Sequence, residues 1–135
     1  MTDQQSGAPL PTDPEHGRGD VVHVVLFRFR PEATAQQRAE LQRRFLALAD
    51  SEREGRRYVR SIRSGVQVSP EGAGHGFEVG FVVEFDSLGD RNFYLGRPFV
   101  GDEPFDVAHD DFKRFAGPLL DGDGRGALVF DLVAG

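Results

Sequence analysis

The sequence predicts an α+β domain whose elements follow the order β-α-β-β-α-β. Four stretches rich in Val, Phe, Ile and Leu either alternate or run continuously apolar, as strands do. Two intervening regions instead space their apolar residues at helical intervals. The length of 135 residues, 39% of them hydrophobic and with twelve Phe among them, suits one compact core.

Residues 1–19 hold three Pro and three Gly with little apolar content, so burial cannot repay the entropy of ordering them. A mobile tail is expected there, and the folded domain over residues 20–135. The first strand runs from Val21 to Arg30 and is apolar on both alternating faces for most of its length, the pattern of a strand covered on two sides. Pro31 ends it. Thr34 with Gln37 forms a capping box that opens a helix. Along that helix Leu41, Phe45 and Leu48 make one packing stripe, while Arg38, Gln42, Arg43 and Arg44 keep the other side wet.

The helix is expected to fray over Asp50 to Gly55. Tyr58 to Val68 alternates as a second strand, Ser69 to His75 is rich in turn formers, and Phe77 to Phe85 reads as a third strand, so these two strands form a hairpin. Ser87 caps a short helix carrying Leu88 and Leu95, which Gly96 to Pro104 interrupts. Helical spacing resumes near Asp106, with Ala108, Phe112, Phe115 and Leu119 on one face. Asp121 to Gly126 is a loop and Ala127 to Val133 the last strand. This is the ferredoxin-like order, with its second helix split. Helices on one side of such a sheet leave Val22, Val24, Leu26 and Val82 on the other, which predicts a homodimer through the sheet face.

Composition narrows the chemistry. Cysteine is absent, so disulfides, thiolate nucleophiles and Cys-based metal sites are excluded. The net charge is −6, and the arginines concentrated in residues 28–63 fit a solvated helix and strand, so no nucleic-acid partner is expected. No apolar run is long enough for a bilayer and the first twenty residues lack a secretory pattern, so no membrane partner and a cytoplasmic location are expected. Ser-based catalysis lacks a Gly-x-Ser-x-Gly elbow. Gly72-Ala73-Gly74-His75-Gly76 imitates a phosphate loop but joins two strands and opens no helix. His23, His109 and Asp131 are the only plausible metal set, and neither a metal nor any other cofactor is expected.

The segments His23-Val24-Val25-Leu26-Phe27-Arg28-Phe29, Val82-Val83-Glu84-Phe85-Asp86-Ser87-Leu88, Tyr94-Leu95, Pro118-Leu119-Leu120 and Val129-Phe130-Asp131, taken in order, resemble the stress-responsive A/B barrel (Dabb) family. The resemblance spans residues 21–133. It implies a homodimer of ferredoxin-like subunits joined as a dimeric α/β barrel. Many members have no assigned role, some being linked to stress, whereas one branch resembles cofactor-free cyclases that close linear polyketides. In that branch a Tyr and a His act as acid and base beside a His on the first strand and an Asp on the last. By position Tyr94, His23 and Asp131 match. The family's His-Pro-x-His motif reads Arg97-Pro98-Phe99-Val100 here, and a second His comes only at His109, after an insertion. Val79 stands where a plant enzyme of that branch has a further His.

The resemblance therefore implies Tyr94 and His109 as acid and base, with His23 and Asp131 orienting, on a small aromatic or polyketide-like enolisable ligand. Tyr94 can serve only with a histidine or a shared water in hydrogen-bond reach. Phe27, Phe81 and Phe112 would line an apolar pocket gated by residues 96–105, and Arg97 could bind an anionic group as a fork-shaped donor. Each residue also has a plain structural reading: His23 as a core histidine satisfied by Asp131, His109 as an exposed helical residue, Tyr94 as core, Arg97 as solvated. The functional alternatives are a non-catalytic stress or small-molecule-binding protein and, from the shared fold alone, a cofactor-independent monooxygenase.

Overall fold

The computed structural model describes residues 11–122 and 124–135. Strand β1, Arg18–Phe27, lies at the centre of a four-stranded antiparallel sheet, and β-branched and aromatic residues dominate it. Helix α1, Ala35–Ala47, follows. Thr34 accepts from the Gln37 backbone and the Gln37 side chain accepts from the Thr34 backbone, so the expected capping box is present. Leu41, Phe45 and, in the 3₁₀ turn that continues the helix, Leu48 are buried against the sheet.

The region where fraying was expected forms a small hairpin instead, β2 at Glu52–Arg53 and β3 at Arg56–Arg57, turning at Glu54 and Gly55, both with positive φ. Strands β4, Val59–Val66, and β5, Val79–Ser87, then make the expected hairpin. Ser87 caps helix α2, Leu88–Leu95, by accepting from the Asp90 backbone. After the irregular residues 96–105 comes α3, Val107–Ala116, capped by Asp106. Strand β6, Ala127–Ala134, closes the chain, and the sheet order is β4-β5-β1-β6. This is a ferredoxin-like α+β fold.

The alternation expected of β1 and β5 decides which side holds the core. Val21, His23, Val25 and Phe27 of β1 and Val79, Phe81, Val83 and Phe85 of β5 are buried beneath the helices. Phe45 stacks on Phe81 with ring centroids 3.8 Å apart, and the Phe27 and Phe112 rings pack against Phe45 at 6.0 and 5.2 Å. On the opposite side, Val22, Val24, Leu26 and Val82 remain half-exposed, and the register places exposed Leu128, Phe130 and Leu132 of β6 beside them.

Two expectations differ from the structure. The buried face of α3 is His109, Phe112 and Ala116; of the expected stripe Phe112 is buried there, Phe115 and Leu119 are partly buried against the core, and Ala108 is exposed. Phe115 lies to the flank, where the Arg44 guanidinium sits 3.9 Å over its ring, so the helix is turned and a histidine takes the buried position. The tail also differs where it is described. The first-turn amides of Leu88 and Gly89 donate to the carbonyls of Gly17 and His16, and Asn92 donates to the Pro11 carbonyl. Thr12 is buried and donates through both its amide and its hydroxyl to Glu103. A Cβ at Gly89 would overlap the Asp13 carbonyl oxygen. Residues 11–17 are thus held by polar contacts to the N-terminus of α2, to Asn92 and to Glu103, which a search for apolar content does not register. Residues 1–10 of the expected tail lie outside the described residues.

Candidate functional site

The register between β1 and β6 sets His23 directly opposite Asp131 on the helix-covered side of the sheet. Their contact is a 2.7 Å hydrogen bond between His23 Nδ1 and Asp131 Oδ1. Arg91 of α2 donates to the second carboxylate oxygen, also at 2.7 Å. Burial alone would raise the Asp131 pKa, but the hydrogen bonds and charges of His23 and Arg91 outweigh it and hold the carboxyl below its ordinary value. An ionised carboxylate only accepts, so His23 carries its proton on Nδ1 and turns Nε2 over to other partners.

His109 is fixed by a different route. Asp106, the cap of α3, accepts the His109 backbone amide at 3.1 Å through one oxygen and the Tyr58 hydroxyl at 2.5 Å through the other. The His109 ring stacks on Tyr94 with centroids 3.8 Å apart, and its Nδ1 lies 2.5 Å from the Tyr94 carbonyl oxygen. Burial pushes its pKa down to about 4, against the opposing pull of that carbonyl. The ring is therefore neutral at neutral pH, Nδ1 is the donor because a carbonyl cannot be, and Nε2 keeps its lone pair.

Both histidines line one cavity of about 610 Å³, between the β1–β6 side of the sheet and helices α2 and α3. That volume falls within the range of small-molecule sites. Phe27, Phe45 and Phe112 form its apolar floor, and Pro98 and Phe99 of the irregular segment stand at its side. Among the described residues neither histidine Nε2 has a hydrogen-bond partner, and neither is fully enclosed. The arrangement offers two proton-handling nitrogens of different character. His23 is backed by a carboxylate, as the base of a Ser-His-Asp triad is, while His109 is a weakly basic acceptor.

The structure brings His23, His109, Asp131, Arg97, Phe27 and Phe112 to this cavity, and leaves Tyr94 and Phe81 outside its lining. Phe81 lies behind Phe45, on which it stacks. Tyr94 is fully buried, and its hydroxyl has no hydrogen-bond partner among the described residues. Burial first, and the Asp106 charge second, raise its pKa well above the usual value. Its ring touches both histidines, edge-on to His23 at 5.7 Å and stacked on His109, so it supports the two imidazoles from outside the cavity. His109 is buried rather than exposed, because α3 turns it inward. Sequence reasoning missed Arg91, Lys113 and Phe45 as lining residues. Arg91 stands one helical turn before Leu95, a spacing that could have revealed it. Among the described residues no group of three or more His, Cys, Asp or Glu is placed to hold a metal ion, and no helix is long and apolar enough to cross a membrane.

Residues 21–134 match the family model described as the stress responsive A/B barrel domain. No curated protein matches the chain. Solved structures share its fold, among them the following three. A dimeric ferredoxin-like protein of unknown function from Jannaschia sp. CCS1 is 20% identical over 86% of this chain and 100% of its own, with a TM-score of 0.65. A protein of Arabidopsis thaliana is 23% identical over 85% and 95%, with a TM-score of 0.66. The hydroxynitrile lyase of Passiflora edulis is 15% identical over 87% and 95%, with a TM-score of 0.61.

Proposed function

The chain belongs to the stress-responsive A/B barrel family, and from that premise we propose that it is a small acid–base enzyme acting without a cofactor on an enolisable, polyketide-like carbonyl compound. The observation that carries the reading is the His23–Asp131 pair at 2.7 Å facing an apolar cavity that His109 also lines. His23, charged or neutral by turns, takes a proton from the carbon or hydroxyl of a bound substrate and returns it at a second position. Asp131 and Arg91 fix its ring and tautomer. His109 accepts a hydrogen bond from the substrate and orients it. Tyr94 positions both imidazoles instead of donating a proton, a role altered from the one the family resemblance implies because its hydroxyl does not reach the cavity. The apolar floor excludes water and so strengthens every charge interaction inside. The Passiflora edulis neighbour, a lyase of similar fold, is compatible with proton-transfer chemistry on such a frame.

The test is hydrogen–deuterium exchange by proton NMR, with a panel of β-dicarbonyl and aryl ketone compounds in heavy water. His23→Gln and Asp131→Asn should slow exchange of an accepted substrate by about 10²–10⁴-fold, the usual contribution of a positioned acid–base group. If wild-type protein accelerates exchange of no panel member, while some of them raise its melting temperature, the non-catalytic ligand-binding reading replaces this one.

The exposed apolar residues Leu128, Phe130 and Leu132, beside Val22, Val24 and Leu26, support a homodimer through the sheet face. Analytical ultracentrifugation should find twice the mass of one chain, and Phe130→Lys should return it to one.

A further inference from the structure

The charges around the cavity point to what its ligand carries. Among the described residues, those lining it include the cations Arg91, Arg97 and Lys113 and only one carboxylate, Asp131. Asp131 is already engaged by His23 and Arg91. Two positive charges are thus left over at a concave apolar site, in a chain whose net charge is −6.

Lys113 reaches the backbone at Arg97. Lys113 Nζ donates to the Leu95 carbonyl at 2.8 Å and lies 3.4 Å from the Arg97 carbonyl oxygen, which ties the ammonium to the end of α2 and the start of the irregular segment. An ammonium has three donors, so this anchoring leaves donor capacity unused. The Arg97 guanidinium lies 5.0 Å over the Phe105 ring, which holds its plane without neutralising it. Among the described residues neither side chain meets a carboxylate, although Arg91 and Arg114 close by are both ion-paired. A cation kept from the protein's own acids at a pocket mouth is available to a ligand.

We propose that the ligand is an amphiphilic anion, with a carboxylate or phosphate head between Arg97 and Lys113 and an apolar body reaching Phe27, Phe45 and Phe112. This rests on the cavity being the ligand site, and it adds the head group that the acid–base reading leaves open. The fork of Arg97 suits two oxygens of either head, and the point charge of Lys113 does not depend on their orientation.

Isothermal titration of the full chain with octanoate, octyl phosphate and octan-1-ol tests it. At least one anion should bind about ten-fold or more tightly than the alcohol, as expected when an ionised head gains charge-assisted hydrogen bonds. The stronger of the two anions identifies the head. Arg97→Gln and Lys113→Gln should each weaken that anion about five- to ten-fold and leave octan-1-ol unchanged, and added salt should narrow the preference in wild-type protein. Equal binding of all three probes, no binding of any, or an anion preference that survives both substitutions overturns the inference. Because binding is read without turnover, the two readings fail separately. Anion binding without proton exchange defeats only the acid–base function, and exchange without anion preference defeats only this head-group assignment.

Discussion

Acidification should destabilise the protein through His109 well before its carboxylates are protonated. The His109 pKa falls from an ordinary 6.5 to about 4 on folding, because the ring is buried behind Tyr94. With the folded value the lower one, the unfolded chain binds the proton more tightly. The neutral ring costs nothing above the unfolded value, and stability drains away as pH falls below 6.5 towards 4. Between pH 7 and pH 5 the unfolded state takes up about three-quarters of a proton that the folded state largely refuses, worth about 2 kcal/mol. Other groups act elsewhere. Asp131, held below its ordinary value, costs stability only under the usual carboxylate range, and Asp90, raised chiefly by burial, shifts stability the opposite way. Comparing wild type with His109→Gln subtracts both. Urea denaturation at fixed protein concentration should show the wild-type advantage over the variant shrinking by about 2 kcal/mol from pH 7 to pH 5. Parallel pH profiles, or an NMR titration of the His109 ring with its midpoint near 6.5, would refute the burial argument.

Other substitutions probe the frame around the site. Phe45→Ala removes a ring that is 1% exposed and stacked on Phe81, and should cost about 3–5 kcal/mol in chemical denaturation while enlarging the cavity. Asp131→Asn leaves Arg91 without its carboxylate at a site that is 23% exposed, so a loss of about 1–3 kcal/mol is expected, with the His23 ring losing its fixed tautomer in nitrogen-15 NMR. Gly89→Ala forces residues 11–17 away from α2. Native-state proteolysis should then cut that segment faster, and stability should drop by roughly 1–3 kcal/mol. Thr34→Ala removes half of the capping box and should cost about 1 kcal/mol without touching the cavity.

Periodicity in the chain alone was enough to determine the order of the main elements, the capping box at Thr34 and Gln37, the cap at Ser87, and the face of β1 that carries His23. Each of these depends on neighbours within a few residues, where side-chain spacing and local hydrogen bonds act directly. The pairing of His23 with Asp131 was within reach because alternation in two strands limits which residues can face each other. The rotation of α3 was not legible, since the burial of His109 rests on its contacts with Tyr94, fifteen residues earlier, and Phe115 meets Arg44 of another helix. Likewise the docking of residues 11–17 joins backbone amides to carbonyls far along the chain and leaves no apolar signature. The convergence of Arg91, Arg97 and Lys113 on one cavity, and the exclusion of the Tyr94 hydroxyl from it, depend on how three helices rest on a sheet. Those positions are set by packing between residues distant in sequence, and no local pattern encodes them.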